Sequence, residues 1–137
     1  MSLKTIFWLP ALLWMALIFL ASSFVFPIKT GRLFSSFDKV VHMIEFGILG
    51  ILLAKAVYGQ KKGDRHLYWL CILAAALYGG LDELHQYFVP GRSNEWSDFA
   101  ADALGAFFLT WGWLAWKGES LFRKAENPGL LEECDEV

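Results

Sequence analysis

Cysteine is scarce in this chain, with two in 137 residues. Cys71 lies inside an apolar run and Cys134 in a polar tail. Such placement excludes a disulfide framework and a zinc site of the CxxC kind. Basic charge is not in excess either: 12 Lys and Arg against 14 Asp and Glu leave a net charge of −2. With no basic stripe and no basic patch interleaved with aromatics, a nucleic-acid partner is not expected. No Ser or Cys stands in a nucleophile motif, no glycine-rich loop is set to cradle phosphate, and there is no internal repeat.

What the chain has is apolar surface. Hydrophobic residues make up 56%, aromatics 17%, and seven Trp and twelve Phe are present. A soluble domain of this length has too little interior to hide so much. Membrane residence is the natural reading. The opening stretch, "MSLKTIFWLPALLWMALIFLASSFVF", is too long for the apolar region of a signal peptide and lacks a clear small-x-small cleavage site, so it reads as a retained span.

Four runs are long enough to cross a bilayer, which takes about 20 mostly apolar residues. They cover residues 6–26, 40–57, 67–89 and 99–116, joined by "PIKTGRLFSSFDK", "YGQKKGDRH" and "PGRSNEWSD", each carrying turn chemistry. The expected fold is all-α, a four-transmembrane-helix bundle over residues 1–118, followed by a loose or short helical polar tail over 119–137. Lys4, Lys55, Lys61, Lys62, Arg65, Lys117, Arg123 and Lys124 share one side, and Lys29, Arg32, Lys39 and Arg92 the other. The side richer in Lys and Arg is cytoplasmic by the positive-inside rule, which puts both termini there.

The outward side then gathers unusual company. Asp38, His42 and Glu45 are spaced i, i+4, i+7 and share one helical face. At ~1.5 Å per residue, His42 lies about 6 Å and Glu45 about 10 Å below Asp38. Asp82, His85 and Gln86 share a face of the third span, continued inward by Gly79 and Ala75. Asp98 and Asp102 share one on the fourth, followed by Gly105. A charged residue deep in a lipid-facing helix costs on the order of 2.5–3.5 kcal/mol, so Glu45, Asp82 and Asp102 are expected to face the bundle interior. Small residues in "AAALYGG" and "AADALGA" let the third and fourth helices come close.

Simpler roles stand beside this. Ser35 and Asp38 fit the S-x-x-[DE] capping pattern, which would make Asp38 a helix start. Glu83 and Glu95 read as solvated interfacial groups, His85 as a hydrogen-bonding group at the membrane surface, and Trp96, Trp111, Trp113 and Trp116 as interfacial anchors or packing. "HMIE" and "DELH" set His and carboxylate at i, i+3, a spacing seen in helical carboxylate–histidine sites. "DELHQ" is not HExxH, however, and no metal or other cofactor is expected. Arg92, after the Pro90-Gly91 break, offers a bidentate fork to a carboxylate or phosphate.

"DKVVHMIEFGILG" followed by "LDELHQYFVPGRSNEWSDFAADALGA" closely resembles the VanZ-like membrane proteins. The residues carrying the match are Asp38, Lys39, His42, Asp82, Glu83, Gln86, Arg92, Ser93, Asp98 and Gly105. Asp102 departs from the pattern, standing where such proteins often have Asn. The resemblance implies an integral membrane protein of the cell membrane, and a link to low-level resistance to teicoplanin, a lipid-tailed glycopeptide.

The functional expectation is an outward polar cavity built from Asp38, His42, Glu45, Asp82, Glu83, Gln86, Arg92, Asp98 and Asp102. Its ligand would be amphiphilic: a lipid headgroup, a lipid-linked cell-wall precursor or a lipoglycopeptide. Asp98 would orient Arg92 or cap the fourth helix. Two rivals come from other classes. One is an intramembrane enzyme using His42 with Asp82 or Glu45 as an acid/base pair, with or without a metal. The other is a proton- or cation-coupled transport component, which with four spans would work as a homo-oligomer.

Overall fold

The computed structural model describes residues 3–24, 31–58, 65–90 and 95–126, with side chains over 6–24, 37–58, 66–90 and 95–118. Four helices occupy these segments: α1 (Leu3–Ser22), α2 (Gly31–Tyr58), α3 (Arg65–Phe88) and α4 (Trp96–Glu126). No strand occurs among the described residues, so the all-α expectation holds.

Two helices are long and apolar enough to cross a membrane, over Phe37–Tyr58 and His66–Phe88. The apolar part of α1 is shorter, Ile6–Ser22. At 31 residues α4 has ample length, but Asp98, Asp102, Thr110 and its indole groups dilute its apolar character. Two of the four expected spans are therefore seen at this level.

Some boundaries differ from the sequence reading. The second helix begins at Gly31, so Asp38 lies two turns inside it rather than starting it. Pro27 is the last breaker before that helix, and nothing from Gly31 to Asp38 forces a stop. The fourth helix runs on to Glu126, so the polar tail begins as helix: "KGESLFRKAE" is polar but made largely of good helix formers. The third helix ends as expected. Val89 N–H donates back to the Gln86 carbonyl at 3.0 Å, and Pro90 cannot continue the ladder. Arg92, Ser93 and the ends of the chain lie outside the described residues.

The helices alternate in direction. Ser23, after α1, meets His85 near the end of α3, while Lys39 of α2 meets Asp98 in the first turn of α4. One end of the bundle thus collects the end of α1, the start of α2, the end of α3 and the start of α4. The most extensive contact is between α2 and α4, and α1 lies against α2 and α3. Each helix contributes to the core: Ile18, Phe46 with Leu49, Ala75 and Ala106. The indole N–H of Trp14 donates to the Glu45 carbonyl at 2.9 Å, and the Tyr78 hydroxyl to the Met15 carbonyl at 2.8 Å, tying α1 to α2 and α3.

The exterior is inverted relative to a soluble protein. Leu70, Leu73, Leu77, Leu81 and Leu84 form an exposed stripe along α3, while His42, Asp82, Glu83, Gln86, Asp98 and Asp102 are buried. An exposed apolar stripe of that length is stable against hydrocarbon and costly against water.

Candidate functional site

All the buried ionisable groups named above lie at the end of the bundle where α2 and α4 start. Asp102, wholly buried, accepts from or pairs with His42: Nδ1 lies 2.9 Å from Oδ1. The other carboxylate oxygen, Oδ2, is buried with no hydrogen-bond partner. It lies beside Gly79, where a Cβ would come within 2.9 Å of it. Glycine therefore makes room for the carboxylate between α3 and α4.

On the other side of His42 is a cavity of about 150 Å³, between α1, α2 and α3. Asp38, His42, Glu45, Asp82 and Gln86 supply its polar wall, and Ser22 closes it from α1. The spacing of i, i+4, i+7 along α2 explains how its first three members reach one cavity. Within it Gln86 Nε2 donates to Asp82 Oδ2 at 2.8 Å, an i, i+4 pair on α3. A second, wholly different pocket of about 370 Å³ lies toward the opposite end, among Trp8, Leu53, Val57, Leu67, Leu70 and Cys71. Among the described residues its lining carries no charged group to orient a ligand.

A third group of contacts seals the α2–α4 seam. Lys39 Nζ lies 2.9 Å from Asp98 Oδ1 and 3.3 Å from Glu95 Oε2. Ser97 Oγ donates to that same Glu95 oxygen at 3.1 Å, and the Glu95 backbone N–H donates to Glu83 Oε2 at 3.3 Å. Asp98 is buried, whereas the Lys39 side chain is 31% exposed. The pair is therefore partly screened by solvent. Lys39→Met is expected to lower stability by about 1 kcal/mol, and the gap from the wild type should narrow in high salt. Thermal melting at two ionic strengths measures this, and equal melting at low salt would discount the pair.

The match to known families bears on this whole unit. The VanZ/LLP1 family model aligns with residues 7–117. The chain belongs to the VanZ/LLP1 family. That alignment begins in α1, ends in α4, and takes in every residue of the cavity and of the His42–Asp102 pair. No curated protein and no solved structure gives a match.

In this VanZ/LLP1 chain the expected site residues divide. Asp38, His42, Glu45, Asp82 and Gln86 come together around the cavity. Glu83, Asp98 and Asp102 lie nearer α4, and Arg92 falls outside the described residues. Glu83 is 5% exposed and so is not the solvated group expected of it; the neighbouring start of α4 covers it. Glu95 is exposed, as expected. Asp98 is paired with Lys39, which the sequence reading used only in its count of Lys and Arg on the outward side and in the family pattern. His85 turns toward α1, with Nε2 3.0 Å from Ser23 Oγ and its ring 4.5 Å from that of Phe19. Trp111 packs against Trp69 and Phe107, and Trp113 against Tyr58, while Trp96 is largely exposed. Thr110 was not foreseen: its hydroxyl is buried without a partner where α4 meets Gly50. A lone Thr in an apolar helix gives no sequence signal of that kind.

Proposed function

We propose that this protein is a four-span membrane protein of the cell envelope that binds the polar headgroup of an amphiphile from the outer leaflet. Both termini would face the cytoplasm, as the Lys and Arg distribution favours. The observation that carries the reading is the cavity of about 150 Å³ with Asp38, Glu45, Asp82, His42 and Gln86 in its wall, inside a bundle whose outside is leucine-rich. Ionisable groups kept in such surroundings are functional candidates by default.

The cavity's size narrows the ligand. Pockets for drug-sized molecules span roughly 300–1,000 Å³, so this one suits a headgroup-sized portion and leaves the rest of the molecule outside. Acceptor-rich walls favour a group with ammonium or hydroxyl donors. A membrane lipid, a lipid-linked cell-wall precursor and a lipoglycopeptide all fit that description, with the lipid tail remaining in the bilayer. Arg92 would serve an anionic part of the ligand at the surface.

The test is teicoplanin and vancomycin susceptibility of a sensitive Gram-positive host, combined with mass spectrometry of lipids retained by the purified protein. Selective protection against teicoplanin, lost with Asp82→Asn and Arg92→Ala at equal expression, is expected. One headgroup class should be retained by the wild type and depleted about ten-fold in Asp82→Asn, which corresponds to ~1.4 kcal/mol. Indifference of both readouts to Asp82→Asn would reject the cavity as the binding site.

The His42–Asp102 pair favours a second reading, an intramembrane acid/base enzyme acting on a lipid-linked substrate. A histidine held by a carboxylate and bordering a cavity has the arrangement of a base with its orienting group. His42→Gln would separate the readings: an enzyme keeps its ligand and loses turnover.

A further inference from the structure

We propose that His42, Glu83 and Asp102 form a binding site for one divalent transition-metal cation, walled by α2, α3 and α4. Each of the three offers a ligand atom, and these atoms lie within 4.8 Å of one another. All three residues are buried, with 6%, 5% and 0% exposure. They come from three different helices, so the site is a product of the bundle rather than of any local motif. "HMIE" and "DELH" each hold a histidine and a carboxylate at metal-site spacing, yet the trio takes one residue from each and completes itself with Asp102 from α4.

Asp102 supplies the independent observation. Its Oδ2 is buried and lacks a hydrogen-bond partner, although a buried carboxylate oxygen ordinarily has one. That oxygen lies against Gly79, one helical turn before Glu83 and on the same face of α3. Asp102 thus packs on the face of α3 that also carries Glu83. The 2.9 Å contact between His42 Nδ1 and Asp102 Oδ1 suits a hydrogen bond in the metal-free protein. It equally suits two adjacent ligands on one cation, which at metal–ligand lengths of about 2.0–2.2 Å stand roughly 3 Å apart.

Charge points the same way. Glu83 and Asp102 bring two carboxylates close together away from water, a setting that favours a bound cation. A second trio, Asp38, His42 and Asp98, also meets the distance requirement. There Asp98 already has the Lys39 ammonium, and Asp38 is only half-buried, so it is the weaker site. One imidazole nitrogen with two carboxylates suits Zn²⁺, Mn²⁺ or Fe²⁺ better than Mg²⁺ or Ca²⁺, which favour all-oxygen shells. Three protein ligands leave coordination positions open.

The site goes beyond the headgroup reading and does not need it, because Glu83 and Asp102 are not among the cavity's lining residues. The experiment uses the full chain in lipid nanodiscs, stripped with chelator, then titrated with ZnCl₂ or MnCl₂ and desalted before elemental analysis. One equivalent of metal per chain is expected for the wild type. Glu83→Gln and Asp102→Asn should each weaken binding at least about ten-fold, and Asp38→Asn should leave it unchanged. Co²⁺ loading should give visible absorption bands that disappear in His42→Gln. Helicity and monodispersity, checked for each variant, separate loss of a ligand from loss of fold. Retention of less than about a tenth of an equivalent by the wild type, or unchanged binding in Glu83→Gln, overturns the site. Loss of binding in Asp38→Asn also overturns it, in favour of the rival trio. Lipid retention by the stripped protein is measured in parallel, so the two readings stand or fall separately.

Discussion

His42→Leu should be among the most damaging single substitutions in the chain. It leaves the wholly buried Asp102 carboxylate without the ring that lies 2.9 Å from it. Breaking a buried pair by removing one partner costs about 3–5 kcal/mol, because the remaining charge stays uncompensated. Asp102→Leu should cost less, since His42 can remain neutral and loses only a hydrogen-bond partner, worth about 1–3 kcal/mol. The double variant should be more stable than the sum of the singles predicts, by at least about 1 kcal/mol, because no orphaned charge remains. Asp102→Asn should be milder than either leucine variant, as the amide can still bond to the ring. Thermal melting in detergent after chelator treatment keeps any metal contribution out of the comparison. Additive single effects would show that the contact is not an energetic pair.

Gly105→Ala is the second large expected effect, and it acts through the backbone. A Cβ there would stand 2.6 Å from the carbonyl carbon and Cα of Met43, and closer still to the Met43 carbonyl oxygen. These are main-chain atoms of α2 and cannot rotate aside, so the helices must separate. Overpacking of this kind costs typically about 1–3 kcal/mol, and the ~1 kcal/mol by which alanine exceeds glycine in helix propensity offsets only part of it. Gly112→Ala is the matched control, because nothing lies near its Cβ position; it should be neutral or slightly stabilising. Gly47→Ala should fall between them, since it meets the flexible side chain of Leu109. Met43 adjoins His42, and Gly105 follows Asp102 by three residues, so helix separation at this point also pulls the His42–Asp102 pair apart. Gly105→Ala should therefore impair the proposed metal and lipid binding along with stability. Melting of Gly105→Ala level with that of Gly112→Ala would mean that the two backbones are not in contact there.

The helices themselves were written in the sequence. Four apolar runs separated by turn-forming segments give four helices, and Pro90 marks the end of α3 because it offers no backbone donor. The stripe Asp38, His42, Glu45 was equally legible, since 3.6 residues per turn places i, i+4 and i+7 on one face whatever surrounds them. The extension of α2 back to Gly31 and of α4 on to Glu126 was not, because apolar content locates a span and says little about where a polar helix end stops. What tertiary structure alone decided is which groups meet. Asp82 and Glu83 are neighbours in the chain, but successive helical residues point about 100° apart. Asp82 therefore enters the cavity with Gln86, while Glu83 turns toward α4. Likewise the partners of Asp98 and Asp102 on α2 depend on the close approach at Gly105, which sets the register between two helices some sixty residues apart in sequence. Charge, spacing and hydrophobicity made these residues candidates, and only the packing of α2 against α4 could pair Lys39 with Asp98 and His42 with Asp102.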